Sequence, residues 1–432
     1  MAERYVDAAF SDGVNTATFF LTDQYVVYDY GIDRVRNGVH PSTEFPVGSS
    51  SGFPQTFLPS GSATILDAAL RGKGPFIDFA YFFRGAGYMR LRTNTAPAIF
   101  DPTVAQSLSA WNLPAGFSSV DAAFNGALNR EPFCYFFKGP QYVRFIWASD
   151  AVDVGFPKPI SNLIGVPAPF TTGIDAAVDG AGAFENAGYF FKDENYLKFQ
   201  WVADGEPHAP GPSAAIRGNW PGLAELLLAG KAKSRALEWL RTTRDRLSAL
   251  TTGTLPAADL PLMILALATH FHIPPTDTTN LGLIMTNFSR VEGTLRDSAR
   301  TFRFRTDAEA IADLNPQIDA AYTHPWPPTA ATGINFTRNF PLRSEINRVS
   351  SVIHEAVHVH EPTSDTPARH INEWYVSPAL APLFGLTPII ANDSSFATRY
   401  DLMPASDAVH NPASYATFAR HIFNGADTRE SP

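Results

Sequence analysis

The chain has 432 residues, 45% hydrophobic and 17% charged, which suits two or three globular domains and excludes a disordered or membrane-spanning class. Its net charge of −9 gives no electrostatic reason to expect nucleic acid or an acidic membrane as partner, and no apolar run approaches the roughly 18 residues of a membrane span. The single cysteine, Cys134, excludes an intrachain disulfide and a cysteine-based metal cluster; between aromatics in "EPFCYFFKG" it reads as a buried, inert thiol.

In chain order, the opening "MAERYVDAAF" lacks the basic-then-apolar layout of a secretory leader, so a cytoplasmic location or non-classical export is expected. A repeat follows at once. "VDAAF" at Asp7, "LDAAL" at Asp67, "VDAAF" at Asp121 and "IDAAV" at Asp175 each precede an aromatic segment, the last three reading "YFFRGAGYMRLR", "YFFKGPQYVRFIW" and "YFFKDENYLKFQW". Phe19, Phe82, Phe136 and Phe190 each precede a tyrosine (Tyr25, Tyr88, Tyr142, Tyr196) by six residues. Each unit thus predicts a short apolar strand and then a hairpin whose arms alternate aromatic and polar residues, with Gly or Asp at the tight connection. One such sheet cannot bury both faces, but four arranged radially can, which predicts a four-bladed all-β propeller over residues 1–223.

This pattern resembles the hemopexin repeat, and among that family it is most similar to the single-domain plant seed albumins of hemopexin fold, which also lack a disulfide lock. The resemblance implies that the Asp-Ala-Ala starts line a central tunnel whose backbone carbonyls hold a cation such as Ca2+ or Na+. Carried over, that points to Asp7, Asp67, Asp121 and Asp175. The alternative is that small residues stand there because they fit a crowded axis.

After "NWPGL" the period changes. Residues 223–250 repeat leucines at three and four and predict an amphipathic helix; residues 259–273 predict a more buried one, stopped by Pro274; a third is expected over 281–300. The basic run Lys231, Lys233, Arg235, Arg241, Arg244 and Arg246 reads as a solvated helix face. His270 and His272, two apart, read as cap or core residues rather than ligands. "GINFTRNF" (333–340) alternates like a strand.

Directly after it, "PLRSEINRVSSVIHEAVHVHE" keeps helical spacing at Ile346, Val349, Ile353 and Val357, and Pro362 ends the run. On this helix His354 and His358 lie one turn apart on one face and can reach a single metal ion. Glu355 lies about 100° round, beside the metal but not on it, the position of a general base. This is the H-E-x-x-H pattern of zinc peptidases. His360 cannot share the face of His358 and reads as a supporting or surface residue. A tetrahedral zinc site open at one position needs a third protein ligand. The metzincin position falls on Ser364, which excludes that class, and Asp365, His370 and Glu373 are the candidates. The surroundings resemble the deuterolysin-like zincins, and "HNPASYATFARHIF" (410–423) is similar to the helix that closes their domain. No "G-T-x-D" stands at the family's place; His370, followed by Tyr375, best fills the equivalent stretch, whereas Glu373 would fit a glutamate-zincin. The resemblance gives Tyr375 the part of a donor to the oxyanion.

The expectation is therefore an all-β hemopexin-like propeller (1–223) followed by a mostly α zincin-like domain (224–432). Its function would be zinc-dependent cleavage of a protein or peptide substrate, with Zn2+ as cofactor and the propeller docking a protein or small ligand. A non-catalytic ligand-binding protein, or a toxin-like effector with a degenerate zincin half, is the alternative.

Overall fold

A computed structural model describes residues 3–46, 52–54, 56–58, 66–204, 206–364, 366, 369–370, 400 and 403–428. The chain divides into two compact units, Met1–Lys231 with Phe304–Thr306, and Ala232–Arg303 with Asp307–Pro432.

In the first unit each repeat folds into its own antiparallel sheet of consecutive strands. The main strands are β1 (Ala8–Ser11), β2 (Thr16–Leu21) and β3 (Gln24–Asp29) in the first sheet. The second holds β4 (Ala68–Arg71), β5 (Phe79–Arg84) and β6 (Gly87–Arg92). The third holds β7 (Ala122–Asn125), β8 (Phe133–Lys138) and β9 (Gln141–Ile146). The fourth holds β10 (Ala176–Asp179), β11 (Ala187–Lys192) and β12 (Asn195–Gln200). Two-residue strands such as Arg34–Val35 and Ala214–Ala215 finish the outer edges. β1 lies against β4, β4 against β7, β7 against β10 and β10 against β1, so the inner strands close a ring and the sheets stand around it as blades.

The side chains explain the repeat. In every sheet the first alanine pairs with the second phenylalanine and the second alanine with the first, as in Ala8↔Phe20 and Ala9↔Phe19 or Ala176↔Phe191 and Ala177↔Phe190. Adjacent phenylalanines point to opposite faces of the pleat. The second ring of each pair meets the first ring of the next sheet edge-on. Centroid separations are 6.2 Å for Phe20–Phe82, 5.6 Å for Phe83–Phe136, 5.3 Å for Phe137–Phe190 and 5.5 Å for Phe191–Phe19. Such pairs are worth about 0.5–1.5 kcal/mol each beyond the area they bury. Cys134 is buried within the third sheet, where burial pushes its thiol well up, consistent with an inert group.

Helix α1 (Leu223–Thr251) starts at the expected change of period, while the first unit runs on to Lys231. The second unit continues with α2 (Leu260–His270), α3 (Thr278–Arg296), and a sheet of β13 (Phe302–Phe304), β14 (Ala321–His324) and β15 (Gly333–Phe336). It ends in α4 (Glu345–His358) and α5 (Pro412–Asn424). β15 is central and β14 an edge. The strand expected over 333–340 stops at Phe336, because a short 3-10 turn takes Phe340–Leu342.

The basic run on α1 requires a correction. Lys233 is 3% exposed and donates to Ser298 Oγ at 3.0 Å. It occupies a seven-residue step in the buried stripe Leu226, Lys233, Leu240 and Leu247, so that face is not uniformly solvated. Arg235 and Arg246 do keep acidic partners, Glu238 and Asp259. Among the described residues no helix is long and apolar enough to cross a membrane.

Candidate functional site

α4 is held from several sides: it packs on α5, on α3 and on β14 and β15. Val349, Val352, Ile353, Ala356 and Val357 form its buried stripe, and Ser344 caps its start by accepting the Asn347 N–H at 3.4 Å. This packing fixes the rotation that turns His354 and His358 to a common side. Their rings lie 5.1 Å apart, and His370 joins them from the following loop at 5.5 Å and 4.8 Å. One ring nitrogen from each of the three lies within 4.8 Å of the others.

The protonation of the cluster suits a metal. His358 Nδ1 lies 2.8 Å from Ser364 Oγ, whose own proton goes to the Glu361 carbonyl at 2.7 Å. The hydroxyl can therefore only accept from the ring, which puts the imidazole proton on Nδ1 and leaves Nε2 for a metal. Burial, followed by the neighbouring His358, His370 and Arg343, holds His354 well below the usual histidine range, hence neutral. Three imidazole ligands with no thiolate suit zinc, and they suit calcium or magnesium poorly.

Glu355 is half-buried beside this cluster and outside it. Thr323 on the edge strand β14 reaches it, its hydroxyl 2.9 Å from Oε2 and 3.0 Å from the Glu355 main-chain oxygen. Trp326 lies edge-on to His358 at 5.4 Å. The loop carrying His370 is tied down by Arg369 to Asp407 at 3.1 Å and by a Glu361–His410 contact at 2.9 Å. His360 turns away to Thr294 on α3. Asp365, Glu373 and Tyr375 lie outside the described residues. Sequence reasoning missed Ser364, Thr323 and Trp326, which lie in loops or on an edge strand; only the tertiary fold brings them to α4.

His270 is a core residue, with Nδ1 3.0 Å from the Tyr400 hydroxyl and Nε2 3.0 Å from His421 Nδ1. With Asp427 these histidines form a second group whose ligand atoms lie within 4.8 Å of one another. His272 contacts the Tyr400 carbonyl through Nε2 at 3.0 Å.

In the first unit the four repeat aspartates do the same local work. Each carboxylate accepts the N–H of the first residue in its own hairpin turn: Thr22 at 2.6 Å, Gly85 at 2.6 Å, Gly139 at 2.8 Å and Asp193 at 2.7 Å. Those residues have φ of 53°, 55°, 51° and 52°, the left-handed region that costs a side chain energy, and the carboxylate bond offsets part of that at Thr22 and Asp193. The same unit holds a pocket of about 220 Å³ floored by Tyr28, Tyr189, Tyr196 and Trp220, with Asp33 and Lys198 at its rim. Tyr28 donates to Asp33 at 2.7 Å, and burial pushes the Tyr189 hydroxyl up to about 12, so these hydroxyls stay protonated donors.

The first unit is an all-β domain of blade-like sheets matching hemopexin-fold albumins, and a helical region follows it. Albumin-2 of Lathyrus sativus is 27% identical over 227 residues, covering 52% of this chain and 97% of its own. Among solved structures, a seed albumin from Lathyrus sativus aligns at 22% identity and TM-score 0.42 over 52% of this chain and 99% of its own. A plant lectin with two metal binding sites from Cicer arietinum aligns at 22% identity and TM-score 0.40, covering 50% and 95%. No protein-family model matches the chain.

Proposed function

We propose that the chain is a zinc-dependent endopeptidase whose first unit carries a ligand-recognition site. The observation that carries this reading is the convergence of His354, His358 and His370 with Glu355 alongside. His354, His358 and His370 would hold the ion through neutral nitrogens, which the Ser364 bond and the burial of His354 favour. Bound zinc would supply Lewis-acid polarisation of a peptide carbonyl and of water. Glu355 would take the proton of the attacking water on a carboxylate oxygen and deliver it to the departing amine. Thr323 holds that carboxylate towards the edge strand. Tyr375 is proposed as donor to the oxyanion on the resemblance alone. In the first unit, Asp33 and Lys198 balance in charge above an aromatic floor, which suits a neutral polar ligand or a short peptide segment.

The test is Glu355→Gln, which keeps size and both flanking histidines. Zinc content should stay near one ion per chain while cleavage of casein falls at least ~100-fold. Equal activity in both proteins would move the chemistry elsewhere. A second reading, a binding protein with an inactive second unit, is favoured by the albumin relationship of the first half. Bound zinc with no cleavage across a broad peptide library would select it.

A further inference from the structure

The hemopexin resemblance implies a calcium or sodium ion on the carbonyls at the mouth of the inner ring, and the residues at that mouth do not fit one. Arg4 already occupies it. Its Nη2 donates to the Asp175 carbonyl at 2.6 Å and to the Asp7 carbonyl at 3.0 Å, and its Nε to the Val6 carbonyl at 3.0 Å. The guanidinium also pairs with the Asp7 carboxylate, Nε to Oδ1 at 3.0 Å, where Asp7 is 2% exposed. Asp7 and Asp175 belong to neighbouring sheets, so one side chain bridges the inner strands β1 and β10.

Two cationic side chains already pair with carboxylates at this end of the ring, Arg4 with Asp7 and Lys138 with Asp121. Burial above all disfavours ionisation of Asp7 and Asp67, and the neighbouring Asp175 and Asp121 add to it. Arg4 acts against this at both Asp7 and Asp67. Lys138 ion-pairs with Asp121 at 2.6 Å. A hard cation coordinated at β1 and β10 would need the Asp7 and Asp175 carbonyl oxygens that the guanidinium already takes. A free ion would have to displace a cation tethered three residues from its carboxylate, at high effective concentration. We propose that Arg4 is a built-in cation that replaces the metal ion of the ring mouth, and that removing it opens a site for Ca2+ or Na+.

The test uses the full chain as wild type, Arg4→Gln and Arg4→Lys, melted in choline chloride buffer with CaCl2 or NaCl added in separate arms. The His354 cluster does not confuse the result, because imidazole nitrogens bind neither ion well. Wild type and Arg4→Lys should melt at the same temperature with and without either ion. Arg4→Gln should melt lower, and the preferred ion should raise its midpoint by about 5 °C or more once present ~100-fold above Kd. If Arg4→Gln does not fold without ions, recovery of the fold on adding either ion supports the proposal. A wild type stabilised as much as Arg4→Gln overturns it, as does an Arg4→Gln chain that neither ion stabilises or refolds.

Discussion

Ser364 shows how one hydroxyl can matter to a cluster it does not join. It is fully buried, gives its proton to Glu361 and so leaves the His358 ring one role, that of donor through Nδ1. Ser364→Ala removes that bond and the tautomer bias with it. Zinc affinity should fall ~10-fold or more, measured by competition with a chromophoric chelator, while the circular dichroism of the chain is unchanged. Unaltered affinity would leave Ser364 as packing only. The pair His354 and His358 was legible from spacing, because a helix face is a local property. Ser364 was visible in the sequence only as the residue that excludes a metzincin, since its contact depends on how the loop after α4 folds back. Arg4 was illegible for a similar reason: its partners are carbonyls, and Asp175 lies 171 residues away.

At the scale of elements, the aromatic pairs make a direct comparison possible. Phe191 closes on Phe19 as Phe83 closes on Phe136, and all four are buried. Phe191→Ala and Phe83→Ala should each cost about 3–5 kcal/mol in urea unfolding, and the two should agree within about 1 kcal/mol. A much milder Phe191 variant would mean that the last junction contributes less than the others. The repeat was readable because strand alternation and small residues at the inner positions both recur in the sequence. The role of its aspartates as turn caps was not, because the same residue type also suits a cation. α1 carries a pH-sensitive group. Burial pushes the Glu225 carboxyl up to about 7, with its side chain 2% exposed and Oε2 unpartnered among the described residues. In the unfolded chain this group titrates near 4.5. Between those values the fold keeps a proton that unfolding releases, so stability is full below about pH 4.5 and declines as pH rises through 7. The total loss is roughly 3 kcal/mol. Glu225→Gln should remove that decline from thermal melts recorded between pH 5 and 8, and a slope unchanged in the variant would assign it to another group.

For the whole molecule, the first unit has its own ring and its own aromatic core clusters. A fragment of residues 1–231 should therefore fold alone, with the near-ultraviolet signal of packed aromatics and a cooperative melt. An unfolded fragment beside a folded full chain would show that the ring needs the rest of the sequence. The start of helix α1 at residue 223 was legible from the change of hydrophobic period. The boundary at Lys231 was not, because it falls inside one continuous helix. Because every sheet of the ring consists of consecutive strands, no strand pairing joins β10 to β1, just as none crosses the other three junctions. The ring thus has no seam, and where its chain starts is an accident of linkage. Joining the ends of the 1–231 fragment through a flexible linker and reopening it between the second and third sheets, near Gly116, should give a circular permutant with the same fold. By the same reasoning, a gene could build such a ring by copying one sheet at a time.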